Sequence, residues 1–356
     1  MTKSNIAGKA QTVLGLIDGP DLGITLPHEH LFIDCRFRVA ESESHEGKKL
    51  AHQKITLENL WFSRYHRFSC EDNVVFDDEA TAISEAMHFK TAGGGTIVDV
   101  TSNNIGRNPA ALARVSEATG LNIIMGTGYY YALSFTPEMK MSSRSEQDIA
   151  DEYIRDIVDG ASGTGIKAGI IGEIGMSWPI AEEERKTLRA AGMAQMETGA
   201  AVNVHPGIHR DAPFECIKVL EEVGADLNRV VISHVERTFP ITDRTSRARL
   251  AEKGCYLEID LFGTDGVQFD PRMFPYDIPN DATRLNIVME LIEDGFLNQI
   301  LISQDVCFKI LFRSYGGGGY SHIVDYVVPR MPARGMSQEQ INTILVGNPR
   351  RINTFV

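Results

Sequence analysis

Eight short apolar runs punctuate the chain, at residues 24–34, 96–101, 122–126, 168–173, 201–205, 230–234, 255–260 and 299–303. Several are rich in Val and Ile and almost unbroken, as strands buried on both faces should be. Between them apolar positions recur at helical spacing, over 77–92, 109–119, 146–162, 181–198, 213–223, 243–253 and 282–294, with a last helical stretch at 337–346. Gly93, Gly120, Gly199, Gly224, Gly254 and Gly295 follow six of these stretches, where helices commonly end. Strand and helix alternating in this way predict an α/β fold, a (β/α)8 TIM barrel, as a single domain over residues 1–356. Residues 1–22 read as an N-terminal extension, 35–76 as a long first strand-to-helix loop with a helical piece near 57–68, and 306–330 as the eighth loop. The Gly316–Gly319 run in that loop reads as a mobile spacer, not a domain boundary.

Composition narrows the partners. A net charge of -13 with no basic stretch argues against nucleic-acid binding. The first residues lead into no apolar signal region, and no run approaches the ~18 apolar residues of a membrane span, so a cytoplasmic protein with no membrane partner is expected. The cysteines, Cys35, Cys70, Cys216, Cys255 and Cys307, are scattered and form no CxxC, which favours reduced thiols over disulfides or a thiolate metal site.

The polar residues at the strand ends carry the chemistry. His28 and His30 stand two apart on the first strand and so face the same side. Glu173 ends the fourth strand, His205 the fifth, His234 the sixth and Asp305 the eighth. A core strand gains nothing from a terminal His or Asp, because burying it unpaired is costly. Any one of the six could be a satisfied core residue. Together, at the end of the barrel where such folds build their sites, they form a donor set suited to two divalent transition-metal ions: zinc first, with manganese, iron or cobalt as alternatives. Glu29, between the two histidines, faces the other side of the strand, where it is expected to make structural hydrogen bonds.

Gly23-Ile24-Thr25-Leu26-Pro27-His28-Glu29-His30, Ala168 to Gly175, His205-Pro206-Gly207, Ser233-His234 and Asp305 resemble the motifs of the phosphotriesterase-like family of the amidohydrolase superfamily. The similarity spans nearly the whole chain. It is nearest the glutamate-bridged, phosphotriesterase-related subgroup, through Gly172 to Pro179 and the stretch from Asp305 to Tyr320. The resemblance implies that His28, His30 and Asp305 hold a more buried ion, that His205 and His234 hold a more exposed one, and that Glu173 bridges both together with a hydroxide. It also implies that Asp305 is the catalytic proton acceptor, where spacing alone would make it only a ligand. Phosphotriesterases proper bridge their ions with a carboxylated lysine, and that position falls here on Gly172. A step of one residue reverses side-chain direction in a regular strand, so a backbone bend at Gly172 is expected. Lys167 is a poor replacement, roughly 20 Å down the strand.

The expected activity is hydrolysis of a small lactone, ester or amide, N-acyl amino acids and taurine-like amides among them. Organophosphate hydrolysis at the same site and a non-catalytic ligand-binding barrel are the alternatives. Of Tyr129, Tyr130 and Tyr131, which follow the third strand and either line a pocket or pack a loop, Tyr129 is favoured as nearest the strand end; Tyr129, Arg237, His209 and Lys309 are the candidate substrate contacts, with Arg36, Asn103 and Arg210 as lesser ones. The partner expected is a small-molecule substrate, and the family resemblance implies a homodimer.

Overall fold

A computed structural model describes residues 6–40, 42, 44–264 and 277–356; residues 1–5 of the N-terminal extension lie outside that description. Eight parallel strands form one sheet in sequential order: β1 (Thr25–Glu29), β2 (Thr96–Asp99), β3 (Asn122–Thr127), β4 (Ile170–Gly175), β5 (Val202–His205), β6 (Val230–Ile232), β7 (Tyr256–Ile259) and β8 (Ile300–Ile302). The sheet curls until β8 meets β1. There Asp305 N donates to His28 O at 3.3 Å, and His28 N donates to Ser303 Oγ at 3.2 Å. The expected TIM-like barrel is therefore present, with helices filling the strand-to-strand crossovers.

Side-chain alternation separates two apolar regions. Val98, Ile124, Ile170, Ala201, Val231, Tyr256 and Leu301, from β2 to β8 in turn, form a small buried cluster inside the barrel. Ala10, Leu22 and Ile352 close it from below. The opposite parity joins the helices in the large outer core. An N-terminal hairpin, Lys9–Thr12 with Gly15–Asp18, lies across the barrel floor, and the C-terminus returns to it through Phe355 N to Lys9 O. Gly169 makes that closure possible, because a Cβ there would lie 2.3 Å from Gln11 O.

The elements depart from the sequence reading at three places. The first strand was expected to run to Asp34 but ends at Glu29. Leu31 N turns to Asp99 Oδ2 at 2.7 Å, and Ile33–Asp34 pair instead with Val75–Phe76 in a separate antiparallel ladder. That ladder ties down the long first loop, which holds two helices, His45–Ala51 and Leu60–Tyr65, where one was expected. The Gly316–Gly319 run is packed, not a mobile spacer. Gly317 N and Gly319 N donate to Phe312 O and Leu311 O, and a Cβ on Gly317 would lie 2.1 Å from Leu311 O.

Candidate active site

Moving up from the apolar layer, the inward positions become polar. Asn203, Ser233 and Glu258 form a buried hydrogen-bonded layer under the mouth: Glu258 Oε2 accepts from Asn203 Nδ2 at 3.0 Å, Ser233 Oγ at 2.8 Å and the His28 ring at Nδ1, 3.0 Å. Above it stand the six residues the sequence singled out, and the barrel brings all of them to one place. His28 Nε2 lies 3.5 Å from Glu173 Oε2 and 3.9 Å from Asp305 Oδ1. His30 Nε2 lies 3.3 Å from Asp305 Oδ1 and 3.6 Å from Glu173 Oε1. His234 Nε2 is 3.7 Å from Glu173 Oε2. His205 Nδ1 is 2.8 Å from both Glu173 Oε2 and His234 Nε2. Glu173 thus turns Oε2 to His28, His205 and His234 and Oε1 to His30.

The bend that brings Glu173 inward is where the sequence placed it. Ile171 pairs with Val202 but Ile174 with Val204, so three steps on β4 oppose two on β5. Gly172 takes up the extra residue at φ +133°, a region costly to residues with a Cβ, and a Cβ there would lie 2.4 Å from Asn203 O. Two further ligand candidates, His234 (φ 57°) and Asp305 (φ 45°), also sit in left-handed backbone. Such strain persists only where the surroundings impose it, and it collects at functional sites.

The outer hydrogen bonds set which ring nitrogen is free. Thr101 Oγ1 gives its proton to Phe32 O and so accepts from His30 Nδ1 at 2.8 Å, leaving Nε2 to face the cluster. Asp260 Oδ1 does the same for His234 Nδ1 at 2.7 Å, and Glu258 for His28. Carboxylate–histidine pairs of this kind orient metal ligands. His28, Glu258 and Asp260 also come close enough together to hold an ion. With Glu258 already accepting from Asn203 and Ser233, that group reads as the orienting layer. Glu29 turns away, as expected, and binds Ser303 Oγ and the Gln304 and Val306 amides.

The cluster fits a pair of cations on its own chemistry. His28 Nε2 is buried without a hydrogen-bond partner and aims between two carboxylates. Burial would lower the pKa of His28, yet Asp260, Glu258 and Glu173 outweigh it and raise it, so this pocket calls for positive charge. Burial, with Arg237 adding to it, holds His205 and His234 well below the usual histidine range. They stay neutral, the form that ligates metal. Asp305 is pulled below the usual carboxylate range by its bond to His30 and the charge of His28, in spite of its burial. His28, His30 and Asp305 make one group of ligand-capable atoms, and His28, Glu173 and His234 another. His205 sits tighter, since ligands of one tetrahedral ion stand roughly 3–3.6 Å apart. It is hydrogen-bonded into the cluster and would open by a few tenths of an ångström to share an ion.

A cavity opens above the cluster, lined by His30, Glu173, His205 and Asp305 and by Arg38, Arg67, Phe68, Tyr130, Arg237 and Phe308 among others. Of the four substrate contacts expected from sequence, only Arg237 is there, its Nη2 2.8 Å from His205 Nε2. Tyr129 is a correction. Its hydroxyl turns to Glu152 (2.9 Å) and Arg144 (2.8 Å) later in the same β3-to-β4 crossover, and Tyr130 takes the cavity position, 3.3 Å from the His205 ring nitrogens. Lys309 is held by Asp72 at 2.8 Å, outside the cavity lining. His209 stacks on Trp178, ring centroids 4.5 Å apart, also outside it. Arg36 pairs with Asp34, Arg210 with Asp243, and Asn103 with Glu152. Sequence reading set Tyr129 ahead of Tyr130, and it missed Arg38, Glu258 and Asp260. The last two were accessible, since they follow Tyr256 on the inward parity of β7.

Comparison with known proteins agrees with this geometry. The model of the Phosphotriesterase family matches residues 8–353. The N-acetyltaurine hydrolase of Xenopus tropicalis is 41% identical over 99% of both chains, and that of Homo sapiens 40% identical over 99% of both. A resiniferatoxin-binding protein from Rhodobacter sphaeroides superposes with a TM-score of 0.92 at 36% identity, covering 98% of this chain and 95% of that one. The organophosphorus hydrolase of Deinococcus radiodurans does so at 0.76 and 27%, covering 98% and 97%. No helix among the described residues is long and apolar enough to cross a membrane. The chain belongs to the phosphotriesterase family and is a metal-dependent hydrolase of it.

Proposed function

We propose that this hydrolase cleaves small N-acyl amides with an acidic amine portion, of the acyl-taurine or acyl-amino-acid kind, at a centre of two divalent ions. The observation that supports this reading most is the identity of about 40% over 99% of the chain with N-acetyltaurine hydrolases. The cavity agrees with it, being rich in guanidinium groups while its lining carboxylates among the described residues, Glu173 and Asp305, are both ligand candidates. Bound there, divalent ions would polarise the scissile carbonyl and supply a nucleophilic water near neutral pH. The chain's own residues do the rest. His28, His30, Glu173, His205, His234 and Asp305 would hold the ions. Asp305, kept ionised, accepts the water proton as oxygen adds to the carbonyl carbon. It returns that proton to the nitrogen as the C–N bond breaks, releasing a carboxylic acid and an amine. Arg237, in the turn just after His234, lines the same space.

A panel of N-acetyltaurine, N-acetylglycine, a γ-lactone and an aryl phosphotriester, each with and without chelator, tests the reading. The acidic amides should be turned over with the highest kcat/KM, and chelation should abolish it. Preference for the lactone or the phosphotriester by tenfold or more, roughly 1.4 kcal/mol of transition-state discrimination, would replace the amide reading. Tight ion binding with no turnover of any member would favour the ligand-binding alternative.

A further inference from the structure

We infer that Arg38 anchors the anionic head group of the substrate, a carboxylate or sulfonate, in the cavity that opens above the ligand cluster. This rests on the amide reading for the substrate's remaining atoms, but not for the anion itself. Arg38 lies in a short turn, Arg36–Arg38, directly after the ladder that pins the first loop. Cys35 N bonds Val74 O and Ala40 N bonds Phe68 O, so the turn and the Phe68 ring are fixed to one another. The guanidinium carbon sits 4.1 Å over the Phe68 ring and 5.8 Å from that of Tyr131, clamped between aromatic faces.

No carboxylate among the described residues pairs with this clamp. Among the described residues the Arg38 guanidinium makes no hydrogen bond and no ion pair, although it lines the same cavity as His205, Glu173 and Asp305. The other cations near the mouth are engaged. Lys309 is held by Asp72, Arg36 by Asp34, and Arg237 by the His205 ring and Pro206 O. The two carboxylates lining the cavity belong to the ligand set. A half-buried guanidinium without a counter-ion is costly, and its planar fork matches a carboxylate or sulfonate with two parallel hydrogen bonds. Stacking on Phe68 holds the fork in place, so little of its freedom is lost when an anion arrives.

The test is direct titration of the metal-loaded protein with propane-1-sulfonate, together with kinetics on N-acetyltaurine and the uncharged N-propylacetamide. In R38M, propane-1-sulfonate should bind ~10–100-fold more weakly, the loss expected for a charge-assisted pair. KM for N-acetyltaurine should rise by a similar factor, with kcat and the rate on N-propylacetamide within about threefold, because the lost contact is shared by ground and transition state. R38K, which keeps the charge but not the flat fork, should fall between. R38Q carries the same test should R38M not fold. Unchanged sulfonate binding in a folded variant, or equal loss of both amides, overturns the inference. Failure of the wild-type protein to cleave any acidic amide, with sulfonate binding still dependent on Arg38, overturns the amide reading alone.

Discussion

Replacing Glu173 with glutamine should leave the protein folded, with fewer than two divalent ions per chain and hydrolysis down by on the order of 10³-fold or more. Glu173 faces His28 and His234 with Oε2 and His30 with Oε1, so its carboxylate reaches both halves of the cluster. Glutamine keeps the shape and removes the charge, placing an amide N–H₂ where an ion or an imidazole nitrogen needs an acceptor. Burial raises the pKa of Glu173, while His28 and His30 pull it back down. Ions would supply that compensation far more strongly than histidines do. Losing a residue that only orients a ligand commonly costs 10–100-fold in metal affinity, so losing a shared ligand should cost more. Metal analysis after dialysis, with circular dichroism to show the fold, checks the first part; steady-state rates on the best substrate of the panel check the second. Two tightly held ions in Glu173→Gln would mean that Glu173 does not bridge.

The second large effect belongs to Asp305. Asp305→Asn should lower kcat by roughly 10²–10⁴-fold, the span attributed to one general base, with KM changed little and at least one ion retained. The retained ion is expected because His28, His30 and Glu173 still converge beside Asp305. Asparagine preserves the left-handed backbone at this position better than most residues, so the variant probes charge and basicity more than folding. Asp305 lies below the usual carboxylate range, so it is ionised throughout the neutral range and its loss should be felt at every pH from 6 to 9. A near-normal rate in Asp305→Asn would remove the base role and leave Asp305 a ligand.

Much of this site was legible in the chain because barrel strands are apolar by necessity. A histidine or carboxylate ending such a run is conspicuous, and the fold delivers all such ends to one rim. The bend at Gly172 was legible only through the family resemblance: the bridging position falls on Gly172, Glu173 stands one residue later, and a regular strand would turn it away. Legibility fell where position depends on how a loop is tied down. Tyr129 and Tyr130 are neighbours of the same type, and the Glu152–Arg144 pair further along the same crossover takes the Tyr129 hydroxyl and leaves the cavity to Tyr130. Lys309 looked available until Asp72, far away in sequence, proved to be its partner. Arg38 carries no motif at all; only the ladder between Ile33–Asp34 and Val75–Phe76 sets it among Phe68 and Tyr131. The buried layer of Asn203, Ser233 and Glu258 was hidden differently, since each reads singly as one polar residue in a short strand.

Anomalous scattering from crystals of the zinc-loaded protein, recorded on both sides of the zinc absorption edge, tests the central claim most directly. Two peaks per chain are predicted, one among His28, His30 and Asp305 and one beside His205 and His234, each within ~2.2 Å of a different oxygen of Glu173. A single peak, or two peaks with Glu173 bound to neither, would contradict the shared centre on which the assignment rests.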